Sequence, residues 1–432
     1  MKVNFNQIIF EPLFRLGFSH KIQATALWSL LESFSSPFFS ILLLPIFTHN
    51  LGLENYGLYV MVMALVSFFS FTGLGMNTSI TYYLAVNYQT SNSKQIAQRL
   101  TSALLITLIG TVFFSCLFLL VLTIFETQFK EHYLELSDKQ QLIYMALGLV
   151  VITQLDGVVS SAIKGLQQFK ISSKIEFVLR LLSFMVVALV AAIQKSVEAI
   201  ALVVLVMAIL NLLVRLAMLN KIVNFDLREI KINKQITNEL FHYGKWMTLQ
   251  SFSGTLFGSL DKLVIGSFLG NAVLGSYNVL ISISQLVHFI PANMLTFIMP
   301  KVAANNESVS PATLKKVLTI TVIVSSIFSI VIFACKGIIF SQFHLDGSYE
   351  NLFYWLIFNY FLLSLNVPVY FIALGMHLIK AVSLQSIMGS LVGVIFLVIF
   401  ISEYGLVAAL VSKLIYSFLA FFIIIPVLRK VK

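Results

Sequence analysis

Long runs of apolar residues, separated by short polar segments, fill most of this chain of 432 residues. A run of about 20 apolar residues is long enough to cross the hydrocarbon of a bilayer as a helix. The runs lack the strict alternation of apolar and polar residues that an outer-membrane barrel requires. With 59% hydrophobic and 11% charged residues, the chain is also far more apolar than a soluble domain. We therefore predict an all-α, polytopic membrane protein.

The apolar runs predict twelve transmembrane helices, numbered here as spans one to twelve. A polar stretch at 224–238 separates spans one to six from spans seven to twelve. We therefore predict two pseudo-symmetric six-helix lobes, residues 1–223 and 239–432, joined by a cytoplasmic linker. Pro37 and Pro45 are expected to interrupt span one. The predicted spans are 22–49, 56–86, 98–125, 141–163, 172–194, 197–221, 239–269, 272–299, 314–340, 350–375, 379–402 and 404–428.

One short motif occurs at the same place in both halves. The segment 51–59, Leu-Gly-x4-Gly-x-Tyr, follows span one, and it returns as the segment 269–277 after span seven, 218 residues later (269 minus 51). The first glycine of each copy permits a tight turn, and Tyr59 and Tyr277 are expected near the outer membrane interface. Similar halves in a membrane protein are typical of a transporter with its path between them. We predict that the motif bounds the outer gate.

Most of the 28 Lys and Arg residues fall on one side of the predicted spans, together with both termini. Because basic loops face the cytoplasm, we place both termini there. Residues 1–21 show no cleavable signal and are expected to form an amphipathic helix on the inner surface. The net charge of +10 suits anionic lipid on that surface and gives no indication of nucleic acid binding. Cys116 and Cys335 lie within apolar spans, so neither a disulfide framework nor a metal site is expected.

Charged residues inside the spans are candidates for the transport path, since a charge at the bilayer centre is costly. Glu176 and Arg180 are four residues apart and are expected to form an ion pair. Arg215 lies near the inner end of span six, and its side chain is expected to reach the interface. We expect the path between spans one and seven. The candidate cations for a phosphate are Arg180, Arg215, Lys262 and Lys413, and the candidate acids for a coupling proton or Na+ are Glu32, Asp156 and Asp261.

The adjacent pair Asp261-Lys262 has two interpretations. Adjacent residues of a helix point about 100° apart, so the two side chains cannot both face one direction. The pair either bridges neighbouring helices or lines the path, and the sequence pattern leaves both interpretations open.

Several short motifs follow one another along the chain. They are the segment 51–59, Gly73-Leu74-Gly75, Tyr243-Gly244 with Asp261-Lys262 and the segment 265–277, and Pro300-Lys301. In order and spacing they resemble the motifs of the bacterial polysaccharide flippases, the Wzx type of the MATE-like MOP superfamily. The resemblance covers nearly the whole chain and includes the 6+6 plan of spans. Flippases of this type often carry a basic residue several positions after a Gly-Leu-Gly in span two, and here residues 77–83 contain none.

The resemblance implies a flippase that moves a polyprenyl-pyrophosphate-linked oligosaccharide, an O-antigen or capsule repeat unit, from the inner to the outer leaflet by alternating access. It implies the bacterial inner membrane as location, a lipid-linked oligosaccharide and membrane lipid as ligands, and a polysaccharide polymerase and chain-length proteins as partners. A multidrug or organic-cation antiporter on the same fold is the alternative, with Glu32, Asp156 and Asp261 as its acids. Short loops disfavour a membrane enzyme, and the span count disfavours a lipid II flippase.

Overall fold

Helices make up all of the regular structure in the part of the chain that the computed structural model describes. This confirms the all-α prediction. The predicted surface helix at the N-terminus, the first part of the linker and Pro300-Lys301 lie outside the described residues. The described residues are 20–86, 93–128, 140–223, 233–295, 310–376 and 378–430, with residues 298 and 302.

Spans one and two form one bent element, His20–Phe68, in which Gly52 has the non-helical angles φ 75° and ψ 169°. Span two continues through a 3-10 turn, Phe69–Gly73, into the helix Met76–Val86. Leu74, between these two elements, has a positive φ of 51°. The first copy of the repeated motif therefore makes the predicted turn at its first glycine. Spans three to six are the helices Ser93–Gln128, Gln140–Gly165, Phe169–Gln194 and Val197–Val223.

The two prolines of span one do not interrupt it. Pro37 and Pro45 both lie inside the helix His20–Phe68, whose geometry departs from helical only at Gly52. The prediction of an interruption is therefore wrong. Transmembrane helices tolerate proline because neighbouring groups and small local adjustments satisfy the backbone carbonyl that loses its partner.

The second half repeats this plan with more interruptions. Span seven consists of Lys234–Thr255, a π turn at Leu256–Leu260 and Asp261–Leu269. It begins at Lys234, so the last residues of the predicted linker are helical. Gly270 makes the turn into span eight with φ 87°, matching Gly52. Spans eight to twelve are Asn271–Ser284 with Leu286–Met294, Pro311–Ala334 with Lys336–Gln342, Glu350–Leu365 with Val367–Gly375, Ile379–Tyr404, and Leu406–Ala420 with Ile424–Lys430.

Ten segments of the described chain are long and apolar enough to cross a membrane. One of them, Leu31–Gly73, contains most of span one and the first part of span two, which the non-helical turn at Gly52 separates. Span seven is not among the ten, and it is less apolar than they are because it carries Glu239, Lys245 and the Asp261-Lys262 pair. Counting Leu31–Gly73 as two spans and adding span seven brings the ten segments to twelve. The structure therefore agrees with twelve transmembrane helices.

The two lobes meet at their predicted outer ends through the second glycine of each motif copy. A Cβ atom at Gly57 would lie 1.7 Å from the carbonyl oxygen of Asn271, and one at Gly275 would lie 2.1 Å from that of Leu53. Leu53 and Asn271 are also 218 residues apart (271 minus 53). The two contacts are therefore related by the pseudo-twofold axis. We call this pair of contacts the glycine clasp.

A second close contact joins spans two and seven nearer the predicted inner side. A Cβ atom at Gly75 would lie 2.3 Å from the carbonyl oxygen of Gly244, and one at Gly244 would lie 2.4 Å from that of Leu74. Two of the motifs that carry the family resemblance are thus in contact with each other. The glycines of the repeated motif and those at Gly75 and Gly244 thus all lie where the two lobes touch. Only glycine lets the backbones approach this closely.

Candidate functional site

A chain of ion pairs crosses the interior of the N-terminal lobe and begins at Glu32. The Lys164 ammonium lies 2.7 Å from one carboxylate oxygen of Glu32, and the Ser173 hydroxyl donates to the other at 2.5 Å. The Arg180 guanidinium donates to the carbonyl oxygen of Glu32 at 2.8 Å. Span one is therefore held to the ends of spans four and five. Glu32 faces its own lobe.

Arg180 continues this chain into spans four and six. Its Nε atom lies 2.7 Å from Glu176, which confirms the predicted ion pair. Glu176 also pairs with Arg215, and Arg215 lies 2.8 Å from Asp156. The expectation that Arg215 reaches the membrane interface is wrong. It is 6% exposed, because two acids from other spans stabilise the guanidinium inside the bundle.

We call these six side chains the N-lobe ion chain. They contribute three positive and three negative formal charges, so the group as a whole is neutral. Four residues that the sequence identified as site candidates belong to it. Its members are Glu32, Asp156, Lys164, Glu176, Arg180 and Arg215.

The C-terminal lobe holds one buried ion pair between spans seven and twelve. Asp261 and Lys413 are each 4% exposed, and their charged atoms lie 2.9 Å apart. Lys413 also donates to the carbonyl oxygen of Phe257 at 3.3 Å, and its ammonium lies 4.5 Å from the centre of that ring. Asp261 accepts a hydrogen bond of 3.1 Å from the Tyr277 hydroxyl. Asp261 thus bridges neighbouring helices, which is one of the two interpretations the sequence left open.

The placement of Tyr277 corrects a prediction. It was expected at the outer membrane interface, but its side chain is fully buried. A buried tyrosine hydroxyl needs a partner, and the Asp261 carboxylate on the preceding helix supplies it. The last residue of the second motif copy therefore belongs to the lobe interior.

Lys262 differs from the other candidate cations. Within the described part of the chain it has no hydrogen bond or ion pair, whereas Arg180, Arg215 and Lys413 each bind a carboxylate. Its side chain is partly exposed. It lies eight residues before the turn at Gly270 (270 minus 262), which places it about 12 Å along the helix from the outer end. Lys262 is thus an unpaired cation well inside the membrane-spanning region.

Span one has an open face made of small polar side chains. Ser33, Ser36 and Ser40 are all exposed. Their spacing of three and four residues places them on one side of the helix. The side chains of Glu32 and Ser35 lie on another side, toward spans four and five.

Span seven has an equivalent open face. Adding 218 to the three serine positions gives Ser251, Gly254 and Gly258, and all three are exposed. A Cβ atom at Gly254 or at Gly258 would have no atom within 4 Å. Lys262 follows Gly258 by one helical turn and so continues this face. The two lobes therefore present matching open faces, and the second one ends in an unpaired cation.

Sequence reasoning identified the charges of this region but missed the open faces. The spacing of Ser33, Ser36 and Ser40 and the offset of 218 residues were a signal that could have found them. We call the two open faces together with Lys262 the candidate site. The small residues of the candidate site are Ser33, Ser36, Ser40, Ser251, Gly254 and Gly258.

Solved structures of MATE transporters share the fold of this chain. The Vibrio cholerae MATE transporter VcmN, in a mutant form, matches with a TM-score of 0.62 and 13% identity over 94% of this chain and 96% of that chain. An inward-facing multidrug resistance MATE family transporter of the MOP superfamily matches with a TM-score of 0.61 and 13% identity over 91% and 96%. The MATE multidrug transporter DinF-BH matches with a TM-score of 0.61 and 12% identity over 94% of each chain.

Sequence comparison identifies the family. No curated protein matches the chain. The family model described as polysaccharide biosynthesis protein, however, matches residues 23–301, which is more than half of the chain. This match spans the N-terminal lobe, the glycine clasp and Lys262. The chain belongs to the polysaccharide biosynthesis protein family, with the fold of the MOP-superfamily transporters.

Proposed function

We propose that the protein is a flippase that moves a polyprenyl-pyrophosphate-linked oligosaccharide, an O-antigen or capsule repeat unit, across the bacterial cytoplasmic membrane. Movement is from the inner to the outer leaflet by alternating access between the two lobes. The family match supports a role in polysaccharide biosynthesis, and the fold supports transport. The observation that carries the proposal is the unpaired Lys262 on an open face within the membrane.

Charge complementarity favours an anionic headgroup. The N-lobe ion chain is neutral, and Asp261 neutralises Lys413. Lys262 is therefore the cation that remains for a ligand among the candidates. A lysine ammonium binds phosphate as a compact point charge with three donors. A pyrophosphate near the end of the open face of span seven would form an ion pair with the Lys262 ammonium.

The rest of the headgroup is a sugar with many hydroxyl groups. The hydroxyl groups of Ser33, Ser36 and Ser40 both donate and accept hydrogen bonds, as sugar hydroxyls do. On the opposite lobe, Gly254 and Gly258 leave room for a bulky ring because they have no side chain. We propose that the oligosaccharide passes between these two faces.

Multidrug antiport, the activity named for several structural relatives, fits the candidate site less well. An organic cation needs an available acid, and Glu32, Asp156 and Asp261 each bind a cationic side chain of the protein. Lys262 would repel such a substrate. Asp156 and Asp261 each keep one buried carboxylate oxygen without a hydrogen bond in the described part of the chain. We propose these two oxygen atoms as the places where a coupling proton or Na+ binds.

Reconstituted protein tests the proposed function. In liposomes that contain a fluorescent polyprenyl-pyrophosphate oligosaccharide on one leaflet, we expect the protein to move the lipid to the other leaflet. A proton or Na+ gradient is expected to raise the rate. The same vesicles are loaded with an organic dye to test for drug antiport. Movement of the dye without movement of the lipid would show that the antiporter alternative is right.

Replacing Lys262 by glutamine is expected to weaken transport of the lipid-linked substrate about 10- to 150-fold, since a charge-assisted hydrogen bond stabilises by roughly 1.5–3 kcal/mol. Lys262→Arg keeps the charge and is expected to retain most of the activity. Initial transport rates at several substrate concentrations measure the effect. Lys195→Gln, at an exposed lysine at the end of span five, serves as the control. Equal rates in Lys262→Gln and Lys195→Gln would remove Lys262 from the path.

A further inference from the structure

Spans two and four meet at two points where an amide side chain lies over a glycine. A Cβ atom at Gly157 of span four would lie 2.8 Å from the side-chain amide of Asn77, which belongs to span two. In the opposite direction, a Cβ atom at Gly73 of span two would lie 2.3 Å from the side-chain amide of Gln154 on span four. Each glycine thus leaves the space that an amide of the other span occupies. We call Asn77 and Gln154 the amide pair.

The amide pair has hydrogen-bonding capacity that the protein does not use. Neither side-chain amide makes a hydrogen bond with another residue of the described part of the chain. The Asn77 side chain is exposed, and the Gln154 side chain is partly exposed. A side-chain amide carries two N–H donors and a carbonyl acceptor. Both amides can therefore donate to and accept from a ligand.

The side of span two that carries Asn77 lies beside the other lobe. Thr78 and Tyr82 are also exposed there. The Tyr82 ring stacks on the ring of Tyr243 of span seven, with centroids 4.7 Å apart. Met76 and Ile80, by contrast, are fully buried in a cluster with side chains of spans three, four and six. The exposed polar side of span two is thus turned away from the interior of its own lobe.

A polar exposed side is typical of contact with water and not with lipid. An unpaired amide in hydrocarbon is costly, because lipid tails offer no hydrogen bond. On the neighbouring span three, the exposed side chains between residues 108 and 121 are all apolar. The repeat offset of 218 residues places Leu295 of span eight at the equivalent of Asn77 (77 plus 218), and Leu295 is buried. The fold itself therefore does not require an amide at this position.

We propose that the amide pair is a saccharide site, at which Asn77 and Gln154 bind hydroxyl or acetamido groups of the substrate. These sugar groups both donate and accept hydrogen bonds, as the amides do. Gly73 and Gly157 are positioning residues, because each leaves room for one amide. The inference rests on the proposed function. It adds residues of spans two and four that distinguish a sugar-bearing lipid from the same lipid pyrophosphate without sugar.

Binding of two lipids to the purified protein in nanodiscs tests the saccharide site. One is the fluorescent polyprenyl-pyrophosphate oligosaccharide, and the other is the fluorescent polyprenyl pyrophosphate without sugar. In Asn77→Leu and in Gln154→Leu, we expect the dissociation constant of the sugar-bearing lipid to rise about 3- to 10-fold, which is the size of one neutral hydrogen bond. The lipid without sugar should bind these variants as it binds the parent. Equal binding of the sugar-bearing lipid by both variants and the parent would overturn the site.

Two further variants serve as controls. Lys262→Gln is expected to weaken binding of both lipids, because both carry the pyrophosphate. Asn220→Leu, which removes an exposed amide near the inner end of span six, is expected to bind both lipids as the parent does. An equal loss for both lipids in the amide-pair variants would overturn the assignment to sugar. If the parent binds neither lipid, the proposed function itself is wrong, and the saccharide site with it.

Gly157→Ala gives a second measurement in which both amides remain. The new methyl group would lie 2.8 Å from the Asn77 amide, so it displaces that group without removing it. The amide ends an exposed side chain that can move aside, so the unfolding temperature should stay close to that of the parent. We expect the same selective loss for the sugar-bearing lipid. Unchanged binding of both lipids would contradict the positioning role of Gly157.

Discussion

Replacing Gly57 by alanine is expected to hold the predicted outer ends of the two lobes apart. The new methyl group would lie 1.7 Å from the Asn271 carbonyl oxygen, and that oxygen belongs to the backbone and cannot rotate away. Overpacking of this kind costs about 1–3 kcal/mol. In a protein that alternates between two states, this corresponds to roughly a 5- to 150-fold shift in population away from the clasped state. Transport should fall by a similar factor.

Thiol labelling measures this shift. Ser276 is buried at the glycine clasp, so a Ser276→Cys probe in a cysteine-free background should react slowly with a membrane-impermeant maleimide. Adding Gly57→Ala is expected to speed the reaction, and Gly275→Ala to do the same because it faces Leu53 symmetrically. Gly337→Ala, where a Cβ atom has no neighbour within 4 Å, is the control. Slow labelling and full transport in Gly57→Ala would show that the clasp does not control the outer end.

Replacing Lys413 by methionine is expected to destabilise the protein strongly. It would leave the Asp261 carboxylate buried without its cation, and breaking a buried ion pair typically costs about 3–5 kcal/mol. Adding Asp261→Asn removes the uncompensated charge and should recover most of the stability. The control is Lys336→Met, because its pair with Glu350 is 30% and 40% exposed and an exposed pair contributes only about 0–1 kcal/mol.

The unfolding temperature of the purified protein in detergent measures these effects. We expect the unfolding temperature to be highest for the parent and slightly lower for Lys336→Met. It should be lower again for the double variant Lys413→Met with Asp261→Asn, and lowest for Lys413→Met alone. Transport by the double variant then separates two roles of the pair. If the double variant is stable and transports normally, Asp261 and Lys413 act in structure, and Asp261 is removed as a binding place for a coupling ion. Equal stability of Lys413→Met and the parent would contradict the buried pair.

The architecture could be predicted because its signals are local. Each span is a run of apolar residues, and the turns at Gly52 and Gly270 are positions of positive φ that favour glycine. The repeat also predicted that these two turns are equivalent. That the two copies touch was not predicted, because symmetry-related elements need not lie at the axis. The prediction was wrong for Pro37 and Pro45 because a proline inside a membrane helix does not by itself break it.

The arrangement of charges could not be predicted, because it depends on how distant helices pack. Lys413 binds Asp261 on another span, and no local pattern indicates that pairing. Arg215 was expected at the interface for its position near a helix end, but acids on two other spans hold it inside. The sequence identified the intramembrane charges as costly, and only the packing distinguishes the paired ones from Lys262.

The neutrality of the N-lobe ion chain has an electrical consequence. Moving one elementary charge through a potential of 100 mV involves about 2.3 kcal/mol. A lobe whose buried charges cancel can rock without such work, whereas Lys262 moves as a net positive charge when the site is empty. In the proposed function, a bound pyrophosphate outweighs that charge and makes the site net negative. A voltage that is negative inside would then push the loaded site outward and draw the empty site back inward, so that the membrane potential alone favours export.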